Sequence, residues 1–246
     1  MNTHQILFSK PMVQSILDNT KTQTRRVITP QPNTQFRPDD RLHIYNRGNG
    51  KTNLWEIKDS LSACSLSTLD SFRCPFGKVG DNIWVKESFY AYGGWQKNGK
   101  TKSGRQKWKF HDYTGWDFEY KYFDNPPLRI QKGRNGLGWY KRSSLFMPQK
   151  ASRIFLEITS IRIERLNNIS DQDAIQEGIK QEKFIPTGKD CYYFYPCNDL
   201  RDDTYLDNPK TSFYSLWRSI HGKYSWEGNP WVWVIEFKRV EKPQNF

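Results

Sequence analysis

The stretch "SRIFLEITSIRIERL", residues 152 to 166, decides the fold class. Ile154, Leu156 and Ile158 alternate with polar neighbours, and Ile161 and Ile163 resume the alternation out of phase, the period-two pattern of a strand with one buried face. The slip near Ser160 predicts a bulge or bend. Ser170 then opens "SDQDAIQEGI" (170–179), where a hydroxyl N-cap, acids in the first turn and Gly178 as a stop spell a helix. Farther on, "SFYSLWRSIHG" (212–222) sets Phe213, Leu216, Trp217 and Ile220 on one helical stripe, and Pro230 precedes a closing strand, "WVWVIEFKRV" (231–240).

Working toward the N-terminus gives the same mixture. "FGKVGDNIWVKESF" (76–89) has turn chemistry around Gly77 and Gly80, with Asp81 holding the turn, and then a strand carrying Ile83 and Val85. "QILFS" (5–9) reads as a short strand, and Pro11 starts a helix bearing Val13, Ile16 and Leu17. These elements predict an α+β protein without internal repeats. Between them lie polar stretches at 28–75, 91–149 and 181–211. The first, rich in Pro, Gly and Asn, reads as loops around short strands.

Charge is distributed unevenly. The chain of 246 residues carries a net +12 with 15% aromatic residues, which pairs cations for phosphates with flat rings for bases. Residues 91–149 hold twelve Lys and Arg against four acids, so they supply +8 of that charge. A nucleic acid, either RNA or single-stranded DNA, or a modified nucleoside is the expected partner. Lys97, Lys107, Lys109, Lys141 and Arg142 are candidates for the backbone, and Trp108 and Trp139 for stacking. Set against this, the segment reads as a solvated, flexible excursion. No apolar run has the ~18 residues of a membrane span and no signal segment opens the chain, so a cytoplasmic location in a bacterial host is expected. The four cysteines lack CxxC spacing and the four histidines lie far apart, so neither a metal nor a cofactor is expected.

One short cluster remains, "TKTQTRR" (20–26), which has hydroxyls and cations but no apolar residue. Taken alone, Lys21 there reads as a solvated lysine and Thr24 as a strand-edge hydroxyl. The order of the surrounding motifs adds to this. The strand and helix before "KTQTRR", the "GDNIWV" turn and strand, the "DAIQEGI" helix after a long strand and the terminal "WVWVIEFKRV" together resemble the ASCH superfamily. The segments "CPFGKVGDNIWVKESF", "FMPQKASRI" and "NPWVWVIEF" are similar to its longer phage and prophage members. The matching pieces amount to roughly 100 to 120 residues, the size of one small domain. The resemblance implies a PUA-like small β-barrel with flanking helices, a single domain with core segments near 5–27, 76–90, 150–180 and 212–240, and insertions at 28–75, 91–149 and 181–211.

The resemblance also implies chemistry. Small bacterial ASCH proteins include amidohydrolases of N4-acetylcytidine that use a lysine and a threonine of a K-T-x-T element and a glutamate of the later helix. Those positions fall on Lys21, Thr24 and Glu177. The residue types suit that reaction, because amide hydrolysis takes a nucleophile and a base, and a hydroxyl with a deprotonated lysine is one such arrangement. Lys21 must lose its proton, which burial and the cations Arg25 and Arg26 favour; Glu177 opposes this and suits an orienting or shuttling role. Co-operation of Lys21 with Thr24 requires a non-extended backbone, since a regular strand points them to opposite faces. Arg25 and Arg26 are candidates for phosphate, and Glu87 is a candidate pocket residue. Two other classes stand beside the hydrolase: a non-catalytic module holding a flipped or single-stranded base, and a ribonuclease, for which no histidine lies near the motif.

Overall fold

The computed structural model describes residues 3–32, 42–49, 51–62, 65–115, 118–183, 190–193 and 208–243. In chain order they form β1 (Thr3–Leu7), α1 (Lys10–Leu17), β2 (Gln23–Val27), β3 (Leu42–Asn46), β4 (Leu54–Ser62), β5 (Ser65–Arg73) and β6 (Asn82–Lys86). There follow β7 (Phe89–Lys100), β8 (Gln106–Asp112), β9 (Leu137–Arg142), β10 (Phe155–Arg165), α2 (Asp171–Gln176), β11 (Lys180–Lys183), β12 (Asp190–Tyr193), α3 (Pro209–His221) and β13 (Trp231–Val240). The fold is mixed α+β and mostly sheet. The chain divides into two compact units, one of residues 3–5, 11–84 and 154–243, the other of 6–10 and 85–153.

The first unit is organised by a sheet of order β1-β6-β10-β13-β2. β10 and β13 pair antiparallel over their length, and their register shifts between Ile158 and Ser160, where the sequence alternation breaks. Val232 and Val234 face one way, into a cluster with Leu166, Ile169, Ala174 and Ile179 and with Phe213, Leu216 and Trp217 of α3. Trp233 lies on the opposite face, where its ring meets Trp55 of β4 at 5.9 Å and Phe72 of β5 at 6.0 Å. The sheet ends at β1 and β2, and among the described residues no sheet closes into a barrel.

Caps set the helix ends. Ser170 and Asp173 form a reciprocal capping box at the start of α2. Gly178 follows it at φ +98°, where a Cβ would press on Ser15 and Lys21 at 3.2 to 3.3 Å, so glycine is needed for both conformation and space. α3 begins earlier than its apolar stripe suggests, because the Asn208 side chain accepts from Lys210 and Thr211 and Pro209 occupies the first turn. The stretch 28–75 also holds more regular structure than its composition suggests. β4 and β5 are nine residues each. In β4 the inward Trp55 and Ile57 alternate with Leu54, Glu56 and Lys58, so one polar face masks a strand.

The second unit contains all of the basic stretch 91–149. It is built on an antiparallel sheet of order β8-β7-β9. Phe89, Ala91, Met147 and Ala151 form its core, with Phe110, Tyr120 and Tyr122 packed against them. No helix among the described residues is long and apolar enough to cross a membrane. Of the stretch 181–211, residues 184–189 and 194–207 lie outside the described residues.

Candidate functional site

The chain leaving α1 turns at Asn19, whose φ is +56°, and the backbone N–H groups of Thr20 and Lys21 both bond the Ser15 carbonyl, at 2.9 and 3.0 Å. That anchors Lys21 just ahead of β2. Thr22 donates to Gln176 at 2.9 Å, and Lys21 pairs with Glu177 in an isolated bridge, so the end of α2 is stitched to the same backbone. β2 is an edge strand. The Thr22 carbonyl accepts from Phe237 and Ile28 donates to Trp231, so from that carbonyl onward the even-numbered backbone groups face β13 and the odd-numbered ones face outward.

Lys21 caps that outward edge. It is 2% exposed, and its Nζ donates to Gln23 O at 2.8 Å, Glu177 O at 2.8 Å and Glu177 Oε2 at 2.6 Å. All three ammonium protons are thereby used. Burial pulls the Lys21 pKa down; Glu177 opposes this, Arg26 and Arg25 add to it, and the net direction is downward. Glu177 is 3% exposed. Its Oε1 makes no hydrogen bond among the described residues and faces Arg25 Nη1 at 3.6 Å. Two residues 156 positions apart in the sequence are thus joined inside the first unit.

Arg25 extends the cluster inward. Its Nη2 lies 3.3 Å from Glu164 Oε2 and 3.2 Å from Asp173 Oδ2, and it also donates to the Gln23 side chain. With its side chain wholly enclosed, the Arg25 charge serves these carboxylates and not a phosphate surface. The Gln23 amide in turn donates to Asp173 at 3.0 Å and Gln176 at 3.2 Å, and Arg162 bonds Glu164, Glu236 and Asp173. Burial pushes the Asp173 carboxyl up, but the Gln23 amide, Ser170 and Arg25 outweigh it and hold Asp173 well below the usual carboxylate range.

Thr24 and Arg26 follow the other parity of β2. Thr24 pairs with Ile235 and Arg26 with Trp233, so both side chains belong to the sheet face opposite Gln23 and Arg25. Thr24 is 2% exposed. The backbone here is extended, the condition under which Lys21 and Thr24 diverge from a common strand, although the Lys21 ammonium lies at the strand edge. Burial lowers the Arg26 pKa, with Glu177 opposing. Burial likewise lowers His221, with Arg26 adding to the effect, and the His221 ring stacks on Trp217 at 4.1 Å.

Glu87 belongs to the second unit. It is 2% exposed, and both its oxygens accept from Arg153, at 2.9 and 3.2 Å, while Arg153 also donates to Asp124 at 2.7 Å. Burial raises the Glu87 pKa against the pull of Arg153. Arg153 stacks on the Tyr122 ring at 4.0 Å. This is a self-satisfied ion-pair cluster.

The cationic candidates of the second unit divide between the two faces of its sheet. The pairs Phe89↔Arg142, Ala91↔Tyr140, Trp95↔Phe110 and Lys97↔Trp108 define an inner face. The pairs Gln96↔Lys109, Tyr92↔Trp139 and Tyr90↔Lys141 define an outer face, and Lys107 shares its parity. Lys97, Trp108 and Arg142 therefore point one way, and Lys107, Lys109, Trp139 and Lys141 the other.

A separate cavity of about 360 Å³ in the first unit is lined by Tyr45, Asn46, Asn49, Thr52, Trp55 and Lys78, and does not include Lys21, Thr24 or Glu177. Among the described residues no group of His, Cys, Asp and Glu is arranged to hold a metal ion. Comparison with family models, with curated proteins and with solved structures finds no match.

Proposed function

We propose that this chain is an ASCH-type protein of PUA-like ancestry that recognises nucleic acid or a modified nucleobase, and that the Lys21–Glu177 cluster hydrolyses the N4-acyl amide of a cytosine. The observation that carries this reading is the buried 2.6 Å bond from Lys21 Nζ to Glu177 Oε2, joining the two most distant members of the expected triad. Burial favours the uncharged amine, the state a lysine base requires. With its three protons donated, Lys21 has no lone pair at rest; one proton must first pass to Glu177 along that short bond. Because Thr24 lies on the face of β2 opposite Gln23 and Arg25, the amine at the strand edge must reach it around that edge, where it takes the Thr24 hydroxyl proton as the oxygen bonds the acyl carbon. Collapse breaks the bond to N4, which receives the proton, and water releases the acid from Thr24 by the same route. Glu177 Oε1, without a hydrogen bond, is the acceptor left for the substrate.

The saturated ammonium also supports a second reading, a non-catalytic module in which the cluster braces the sheet edge beside a bound base. Hydrolysis of N4-acetylcytidine, followed as loss of acetylated nucleoside on a column, separates the two. Turnover by the wild type that is lost in Thr24→Val supports the hydrolase. Binding of the nucleoside without turnover supports the module, and neither activity refutes the site.

A further inference from the structure

The sheet of the second unit has one packed face and one open face, and the two carry different chemistry. On the inner face Arg142 lies 4.2 Å from the Phe110 ring centre and 4.8 Å from that of Trp95, while Arg134 lies 5.6 Å from Trp95 and 5.3 Å from Trp108. These guanidiniums and the Tyr140 ring, 5.5 Å from Phe110 and 6.5 Å from Trp95, fill the space around the inner rings. The same face continues into Tyr140, 4% exposed, and the core around Phe89 and Ala91. Phe110 also fills the space above Gly93, where a Cβ would come within 2.7 Å of its ring. From Phe89 to Trp95 the inner face is a packed structural layer, and Lys97 beyond it is exposed.

The outer face is a shallow platform. Its rows across the strands run Lys109 and Gln96, then His111, Gly94 and Leu137, then Tyr92 and Trp139, then Tyr90 and Lys141. Lys107, Lys109 and Lys141 are exposed, as are Leu137 and Phe118. Phe118 stacks on Tyr92 at 4.0 Å and meets Trp139 at 5.8 Å, and Lys121 sits 5.5 Å from the Trp139 ring. Aromatic groups gather at one end of the platform, and lysines flank it. Rings on an open antiparallel sheet with cations around them suit splayed, single-stranded bases and their phosphates.

We propose that this outer face, through Lys107, Lys109, Lys141 and the Tyr92–Phe118–Trp139 group, binds single-stranded nucleic acid, and that the inner-face Lys97, Trp108 and Arg142 do not contact it. A polyanion is the occupant because the segment carries a surplus of eight positive charges. The inference takes its partner class from the function proposed above and adds which surface holds it. A platform reading bases by stacking discriminates weakly among sequences and prefers single strands to duplex.

The test is fluorescence anisotropy of labelled 12-nucleotide RNA and DNA single strands and of a duplex, titrated with the full chain at several salt concentrations. The outer-face variant Lys109→Gln/Lys141→Gln is expected to bind the single strands about tenfold more weakly and to lower the salt slope by about 1.4. The inner-face variant Lys97→Gln/Arg134→Gln, which removes the same charge, is expected to stay within about twofold of wild type. Trp139→Tyr, which keeps a ring, should bind better than Trp139→Leu. Equal losses in the two double variants, an unaffected outer-face variant, tighter binding of duplex or no binding by the wild type would each overturn the proposal. Wild-type turnover of N4-acetylcytidine is read alongside. Turnover without oligonucleotide binding removes this inference alone, whereas outer-face-dependent binding without turnover removes the hydrolase alone.

Discussion

Replacing Lys21 by methionine keeps all but the last atom of the side chain's length and deletes its charge, which tests whether the Lys21–Glu177 pair is a buried ion pair. The Lys21 side chain is 0% exposed and that of Glu177 4%, so the carboxylate left behind stays out of water. Removing one partner of such a pair costs roughly 3 to 5 kcal/mol. Arg25 Nη1, 3.6 Å from the other carboxylate oxygen, partly compensates, which puts Lys21→Met near the lower end, about 3 kcal/mol. With a urea dependence of about 2 kcal/mol/M, the midpoint of the first unit's unfolding falls by about 1.5 M. Lys21→Met/Glu177→Leu removes both charges and should recover most of that loss, giving a coupling of about 2 kcal/mol or more. Urea unfolding followed by tryptophan fluorescence reads all three variants, with the slope checked for constancy. A single-variant shift under about 0.5 M, or a double variant as unstable as Lys21→Met, would refute a charged, buried pair.

Four further outcomes are expected. Thr24→Val should abolish N4-acetylcytidine turnover with a stability change below about 1 kcal/mol, because valine keeps the β-branched shape that suits a buried strand position; retained turnover would remove Thr24 from the chemistry. If Lys21 is the base, kcat/KM rises with pH as the ammonium loses its proton, and because burial lowers its pKa the rising limb lies below the ordinary lysine value of 10.5; a limb at or above it would exclude Lys21. Asp173 is held below its ordinary value of 3.8, so its contribution is complete above that pH and lost as the pH falls below it; Asp173→Asn should be less stable at neutral pH and show a flatter acid limb, read by thermal unfolding from about pH 2 to 6. Arg142→Gln should cost about 1 to 2 kcal/mol by exposing the Trp95 and Phe110 faces, and an unchanged melting point would mean that the inner layer is not locked.

The elements with strong local signals were legible in the sequence. The break in alternation of "EITSIRI" marks the register shift between Ile158 and Ser160, and the Ser170 box marks the start of α2. The starts and extents of other elements rest on signals that apolar periodicity does not carry. Asn208 and Pro209 begin α3 ahead of its first apolar residue, and the β4 strand is hidden because Glu56 and Lys58 interrupt its apolar residues. The barrel expected from family resemblance depends on which edges meet, and edge pairing is a long-range property; β1 and β2 remain the ends of an open sheet among the described residues.

For the candidate site the sequence supplied residue types but not their surroundings. Lys21 and Glu177 are brought together while Thr24 faces the other way, and nothing local to "TKTQTRR" reveals that its lysine is enclosed, because the carboxylate that makes enclosure tolerable, Glu177, lies 156 residues away. Gln23 gave no signal of its own and proves to be the amide that joins Arg25 to Asp173. The second unit is the opposite case. In "QKWKFHD" (106–112) Trp108 and Phe110 alternate with Lys107, Lys109 and His111, and in "LGWYKR" (137–142) Tyr140 and Arg142 alternate with Trp139 and Lys141. That period of two sorts the cations and rings by face from the sequence alone. Reading the segment by its charge total concealed it, since a sum over residues discards the parity that decides which lysine stands beside which ring.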